Sequence, residues 1–128
     1  MKILGVGVDI IENRRIGKLI KKRIFIKRTF SENEISFSKK TTNKTNFFSK
    51  RFAAKESFVK SIGIGFRNSL KFVDIEIFND TKGKPYFKIN KKVDSIIKKI
   101  FKIKNYNLFL SISDENDYSI AFTILQAK

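Results

Sequence analysis

RFAAKESFVK, Arg51 to Lys60, decides how the rest of the chain is read. Its alanines favour a helix, and the apolar spacing extends that helix from about Asn46 to Ile62. Phe48, Phe52, Val59 and Ile62 fall on one face and supply a buried stripe. A single carboxylate, Glu56, stands in this stretch among the cations Arg51, Lys55 and Lys60. SIGIGFRNS, with Gly63 and Gly65, ends the helix.

Upstream, KILGVGVDII is apolar and β-branched, with Gly5 and Gly7 interspersed. This predicts a buried strand over Ile3–Ile10 to which backbone or ligand comes close, with Asp9 at its end. From Ile11 the period changes. Ile16, Leu19 and Ile20 line one helical face, while Arg14, Arg15, Lys18, Lys21 and Lys22 cover the others, predicting one basic amphipathic helix reaching about Arg23. SENE sets Ser31 three residues before Glu34, a capping box that opens a second short helix. KKTTNKTN, Lys39–Asn46, is polar and is expected to be a loop.

Downstream, VDIEIFND alternates as a strand, and TKGKPYFKI turns at Lys82–Lys84 before a strand opened by Pro85, so the pair predicts a hairpin. Lys91–Phe101 has Val93, Ile96, Ile97 and Ile100 at helical spacing. YNLFLSIS and DYSIAFTIL are two strands joined by the acidic turn DEND. The order is β, helices, ββ, α, ββ. It predicts an α+β fold in which a largely antiparallel sheet packs with a long helix, as a single domain over residues 1–128.

Composition narrows the chemistry. The chain has no cysteine and no histidine, which removes thiolate and imidazole nucleophiles, bases and metal ligands. A metal must be held by oxygen, which favours a hard cation such as Mg²⁺. Twenty-eight Lys and Arg against 12 Asp and Glu give a net charge of +16. That charge draws phosphates, acidic proteins or anionic membranes, although AT-rich codon usage would produce much of the same composition. No run approaches the ~18 apolar residues of a membrane span. The expectation is a cytoplasmic protein that does not enter a membrane.

Three places are candidate sites, each with an ordinary alternative. Asp9 is either a metal ligand where a phosphate approaches the glycines or the N-cap of the following helix, with Glu12 completing D-x-x-E. Glu56 shares a helix side with Phe52, Val59, Lys60 and Gly63. It is either an i,i+4 partner of Lys60 or a metal ligand beside phosphate-holding Lys55 and Lys60. The basic helix is either a solvated face or a dock for an acidic partner or nucleic acid.

The combination of motifs resembles a known family over nearly the whole chain. GVGVDIIENRRI, RFAAKESFVKSIG, FVDIEIFNDTKGKPYF and LSIS with YSIAFTI are similar, in order, to the holo-acyl-carrier-protein synthase type of 4′-phosphopantetheinyl transferase. The resemblance implies the 4′-phosphopantetheinyl transferase fold. It also implies Mg²⁺-dependent transfer of the phosphopantetheine arm of coenzyme A to a serine of apo-acyl carrier protein, releasing adenosine 3′,5′-bisphosphate.

Carried over by motif, Asp9 and Glu56 would ligate one Mg²⁺, and Lys60 would neutralise the transferring phosphoryl group. Glu56, through a metal-bound water, would be the base, with Lys60 as second choice. Lys55, Lys60, Gly63, Lys84 and Pro85 would lie at the bound coenzyme A. Arg14, Lys18, Lys21 and Lys22 would meet the acidic carrier protein. The resemblance further implies a homotrimer with active sites between subunits, which would allow Asp9 and Glu56 to come from adjacent chains, and no role for nucleic acid. One departure is visible: where the family has histidine in S-I-S/T-H-T, this chain has Asp114. An acid there weakens phosphate binding or is absorbed by neighbouring lysines. Two other readings compete: a non-catalytic relative that only binds coenzyme A or carrier protein, and a basic nucleic-acid-binding module.

Overall fold

The helix centred on Arg51–Lys60 is α4, Lys44–Ile62, and the rest of the molecule is arranged around it. A computed structural model describes residues 1–66 and 69–128; residues 67 and 68 of SIGIGFRNS lie outside the described residues. The remaining elements are β1 (Lys2–Glu12), α1 (Asn13–Leu19), α2 (Arg23–Thr29), α3 (Glu32–Ser38), β2 (Glu76–Asn79), β3 (Pro85–Lys88), α5 (Lys91–Phe101), β4 (Tyr106–Asp114) and β5 (Tyr118–Ala127). A single 3₁₀ turn, Phe72–Asp74, precedes β2. β1, β5 and β4 form an antiparallel sheet in that order, and β2 and β3 form a separate antiparallel hairpin. The fold is α+β, as expected.

α4 is buried on almost every side. Phe48, Phe52, Ala53, Ala54, Phe58, Val59 and Ile62 are all in the core, with Ile11, Ile16, Ile97 and Leu125 packed into the same cluster. Burying a phenylalanine as completely as Phe58 contributes about 1.5–3 kcal/mol. Aromatic contacts extend the core towards the short helices: Phe30 lies 4.6 Å from Phe48, and Phe52 stacks on Phe72 at 5.4 Å. The helix begins earlier than the sequence suggests, because Asn43 caps it by accepting from the Asn46 backbone N–H. Lys44, Thr45 and Asn46 therefore belong to the helix rather than to the loop. It ends as expected at Gly63, whose φ of 77° closes the last turn in the left-handed region.

The capping box is present, with the Ser31 hydroxyl on the Glu34 N–H and the Glu34 carboxylate on the Ser31 N–H. The hairpin and α5 also fall where the periodicity puts them. The single basic helix does not. It splits into α1 and α2, with Lys21 and Lys22 in the turn between them. Ile16 and Phe30 are both buried, and a turn lets the chain bring each side chain down onto α4.

β1 differs from the fully buried strand expected. Its odd-numbered face, Gly5, Gly7, Asp9 and Ile11, turns inward, whereas Val6, Val8 and Ile10 are more than half exposed. Ile120 and Phe122 of β5 and Phe109 of β4 extend that outer apolar face. Among the described residues no helix is long and apolar enough to cross a membrane.

Candidate active site

Two glycines determine how close β1 comes to α4. A Cβ on Gly5 would stand 1.8 Å from the Ser61 carbonyl oxygen, and one on Gly7 would stand 1.9 Å from that of Ser57. Only glycine permits this approach, so the strand lies directly on the helix backbone. The Ser57 hydroxyl shares a buried 2.6 Å hydrogen bond with Thr123 of β5, tying the same turn of α4 to the next strand. Asp9 is the next residue in the Gly5–Gly7 row. It is thereby delivered to the C-terminal half of α4.

There the Lys60 ammonium donates to the Val8 carbonyl at 3.0 Å and approaches Asp9 Oδ1 at 3.3 Å. The Asp9 side chain is 16% exposed and that of Lys60 is 55% exposed, so the pair sits at the mouth of the site rather than in the core. Burial raises the Asp9 carboxyl above its ordinary value, while the hydrogen bond from Lys60 and the charges of Lys60 and Arg15 oppose the shift. Glu56 is half-buried, and its carboxyl is raised by burial first and by the negative charge of Asp9 second. Lys60 and Arg15 again pull the other way.

Both ordinary alternatives at these acids fail. Asp9 is not a helix cap: β1 continues to Glu12, which occupies the N-cap position of α1 and makes no side-chain cap bond. Asp9 also lies inside the strand, opposite Ala121, rather than at its end. Lys60 does not form an ion pair with Glu56 but turns to Asp9. Nor do the two acids need adjacent chains, since within one chain Asp9 acts electrostatically on Glu56 and contacts Lys60.

The chemistry of this pair fits a hard divalent cation. Its donors are carboxylate oxygens, partly desolvated and mutually repelling, and a cation relieves both penalties. Among the described residues no cluster of three acidic side chains forms, so Asp9 and Glu56 leave most of an octahedral shell to other oxygens.

Lys55 is a correction. Its side chain is fully buried, with Nζ 2.6 Å from Glu34 Oε1, 2.9 Å from the Phe72 carbonyl and 2.5 Å from the Ile75 carbonyl. Burial lowers its pKa and the charge of Glu34 pushes back. Such a lysine cannot reach a phosphate; it joins α4 to α3 and to the segment entering β2.

A second group of residues gathers around the N-terminal half of α4. A cleft of about 290 Å³ is lined by Phe47, Lys50, Arg51, Asn79, Gly83, Pro85, Ile112 and Asp114. The Arg51 guanidinium lies over the Phe47 ring at 3.9 Å and donates to Asn79 Oδ1 at 2.8 Å, while its buried Nε makes no hydrogen bond and faces Glu34 Oε2 at 3.9 Å. The sequence reading missed Lys50, Arg51 and Asn79 here, and Arg15 at the acids. An arginine flanked by an aromatic four residues earlier is the signal that would have found Arg51.

Pro85 lines the cleft. Lys84 does not line it; its backbone N–H is held by Asp80 at 2.8 Å. Gly63 serves as the helix terminus. Asp114 is not absorbed by lysines: its Oδ2 accepts from the Asn46 amide at 2.6 Å. Arg14, Lys18, Lys21 and Lys22 are all exposed, and none has an acidic partner within 4.0 Å among the described residues.

Residues 5–123 match the sequence profile of the 4′-phosphopantetheinyl transferase superfamily. The chain belongs to that superfamily. It is 59% identical over 128 residues to the holo-[acyl-carrier-protein] synthase of Pelagibacter ubique, covering 100% of both chains. It is 49% identical to the enzyme of that name from Ehrlichia chaffeensis, covering 96% of each. Among solved structures, the holo-[acyl-carrier-protein] synthase of Neisseria meningitidis superposes with a TM-score of 0.86 at 34% identity, over 97% of this chain and 98% of that one. The Bacillus anthracis synthase, solved in complex with CoA (3′,5′-ADP), superposes with a TM-score of 0.82 at 32% identity over 100% of both chains.

Proposed function

We propose that this protein is a transferase that moves the 4′-phosphopantetheine arm of coenzyme A onto a serine of apo-acyl carrier protein and releases adenosine 3′,5′-bisphosphate. The observation that carries this reading is the convergence of Asp9, Glu56 and Lys60 where the Gly5–Gly7 row presses β1 onto α4. The names of the full-length relatives support the same activity.

In the transfer, the serine oxygen forms a bond to the phosphorus that carries the pantetheine arm, and the bond from that phosphorus to the bridging oxygen breaks. Glu56, its carboxyl raised by burial and by Asp9, would take the serine proton. The Lys60 ammonium, held at Asp9 and half exposed, neutralises charge on the phosphoryl group as the bisphosphate departs. Asp9 and Glu56 would hold Mg²⁺, which when bound supplies Lewis-acid stabilisation of the pyrophosphate and its leaving group. The Phe47–Arg51–Pro85 cleft would take the nucleotide end, since Lys50 and Arg51 give its wall two cations for a phosphate.

Arg51 and Glu56 are five residues apart, which places them about 140° apart around the helix. Cleft and carboxylates therefore face different sides of one chain, and this supports a homotrimer in which neighbouring subunits complete each site. The exposed row of Val6, Val8, Ile10, Ile120, Phe122 and Phe109 offers an interface for it. Residues 1–128 would act as one unit, in the cytoplasm. Arg14, Lys18, Lys21 and Lys22, exposed and without acidic partners, would steer the acidic carrier.

The test is the intact mass of an apo-acyl carrier protein incubated with the enzyme, coenzyme A and Mg²⁺. The expected result is a gain of one phosphopantetheine group that is lost on chelation and with Glu56→Ala. A gain unaffected by Glu56→Ala would remove the site assignment. No gain with any carrier would point to a binding-only relative.

A further inference from the structure

Asp114 lines two cavities at once. One is the nucleotide cleft with Lys50, Arg51 and Pro85; the other is a polar hollow of about 400 Å³ lined also by Asn13, Asn43, Thr45, Asn46, Glu115 and Asn116. The carboxylate is latched to Asn46 in the first turn of α4, where the N-terminal end of a 19-residue helix also favours negative charge. The turn carrying it is itself fixed. Asn13, almost fully buried, donates from Nδ2 to the Glu115 and Asn116 carbonyls at 2.9 and 3.1 Å and accepts from Ser119 Oγ at 2.7 Å. Thus Asp114 is held as a fixed negative charge at the wall of a cleft whose other charged residues, Lys50 and Arg51, are cations.

We propose that Asp114 is an affinity-limiting residue: a built-in counter-anion that competes with the bound bisphosphate for the cations of the cleft and for the N-terminus of α4, and so hastens product release. This inference rests on the nucleotide reading of the cleft. It predicts looser nucleotide binding than the cations alone would give. It also predicts that removing the charge while keeping the latch tightens binding, because an amide oxygen at position 114 still accepts from Asn46.

The experiment is calorimetric titration of the whole protein, with Mg²⁺ present, by adenosine 3′,5′-bisphosphate and by coenzyme A. Asp114→Asn is compared with Glu115→Gln. The second variant makes the same change in net charge but touches only the polar hollow. The expected result is a Kd lowered roughly three- to tenfold in Asp114→Asn, shrinking as salt is added, with Glu115→Gln close to the parent. Equal tightening in both variants would make the effect one of overall charge and overturn the inference. Unchanged or weaker binding in Asp114→Asn would overturn it as well, while leaving the nucleotide reading intact. Absence of binding in parent and variants alike would remove the nucleotide reading and this inference together.

Discussion

Lys55 and Lys60 lie five residues apart on one helix and look interchangeable in the sequence, yet the fold gives them opposite tasks. Lys55 is sealed against Glu34 and two backbone carbonyls, with no side-chain exposure. Lys60 stands 55% exposed over Asp9. Advancing five residues rotates the side chain about 140°, enough to move a cation from the core to the mouth of a site. Helical position relative to the packed faces, rather than residue type, separates a buried anchoring lysine from one exposed beside a carboxylate.

The largest effect that would break this comparison is on stability. Lys55→Met takes the nearer of two cations from the buried Glu34 carboxylate, leaving it only Arg51 at 3.9 Å, and unfolding in urea should show a loss of about 3 kcal/mol. The double variant Lys55→Met/Glu34→Gln should recover much of it. Full stability in the single variant would mean that Lys55 is not the anchor described here. Lys60→Ala should do the reverse: turnover falls about 10²- to 10³-fold while the urea midpoint stays near the parent. A stability loss rivalling that of Lys55→Met would collapse the distinction.

A smaller effect separates Lys60 from the exposed cations of α1 and the turn after it. Reversing Arg14 and Lys21 to glutamate should raise the KM for carrier protein about tenfold with kcat and the KM for coenzyme A unchanged, and added salt should imitate the change in the parent. Weakened coenzyme A binding would instead place these residues at the nucleotide.

The smallest effect concerns the two acids near Lys60. Asp9 and Glu56 have carboxyls raised in the folded state, so the fold holds their protons more tightly than the unfolded chain does. Their contribution to stability is present at acidic pH and is lost as pH rises through those raised values. Without a divalent cation, the Tm should therefore fall by a few degrees across that window. Mg²⁺ should restore it above the window and have no effect below it. A Mg²⁺ effect that is constant with pH would argue against carboxylate ligation.

What the sequence made legible was local. The Ser31–Glu34 box, the glycine end of α4 and the span of α5 each depend on neighbours in the chain and were found where expected. What it concealed depends on distant partners. Nothing near Lys55 announces Glu34, and nothing near Lys21 announces the turn that lets Ile16 and Phe30 both reach the core. The motifs single out Asp9 and Glu56 as carboxylates but not their neighbours in space. That Lys60 belongs to Asp9 rather than Glu56 required the close approach that Gly5 and Gly7 allow. The place of Arg51 is invisible in the chain, because its cleft is built from β2, β3, β4 and α4 together.

The place of β1 in the sheet carries a consequence for biosynthesis. Its sheet partner is β5, with Asp9 opposite Ala121, so the strand bearing the first acid of the site leaves the ribosome early and is seated late. Until β5 is made, the glycine row has no sheet to hold it against α4, and the nascent chain carries an apolar ribbon of Val6, Val8 and Ile10 with no strand alongside. The enzyme is thus expected to bring Asp9 to Lys60 only near the end of translation and to depend on rapid closure of that long loop, the slow, non-local kind of pairing that chaperones protect.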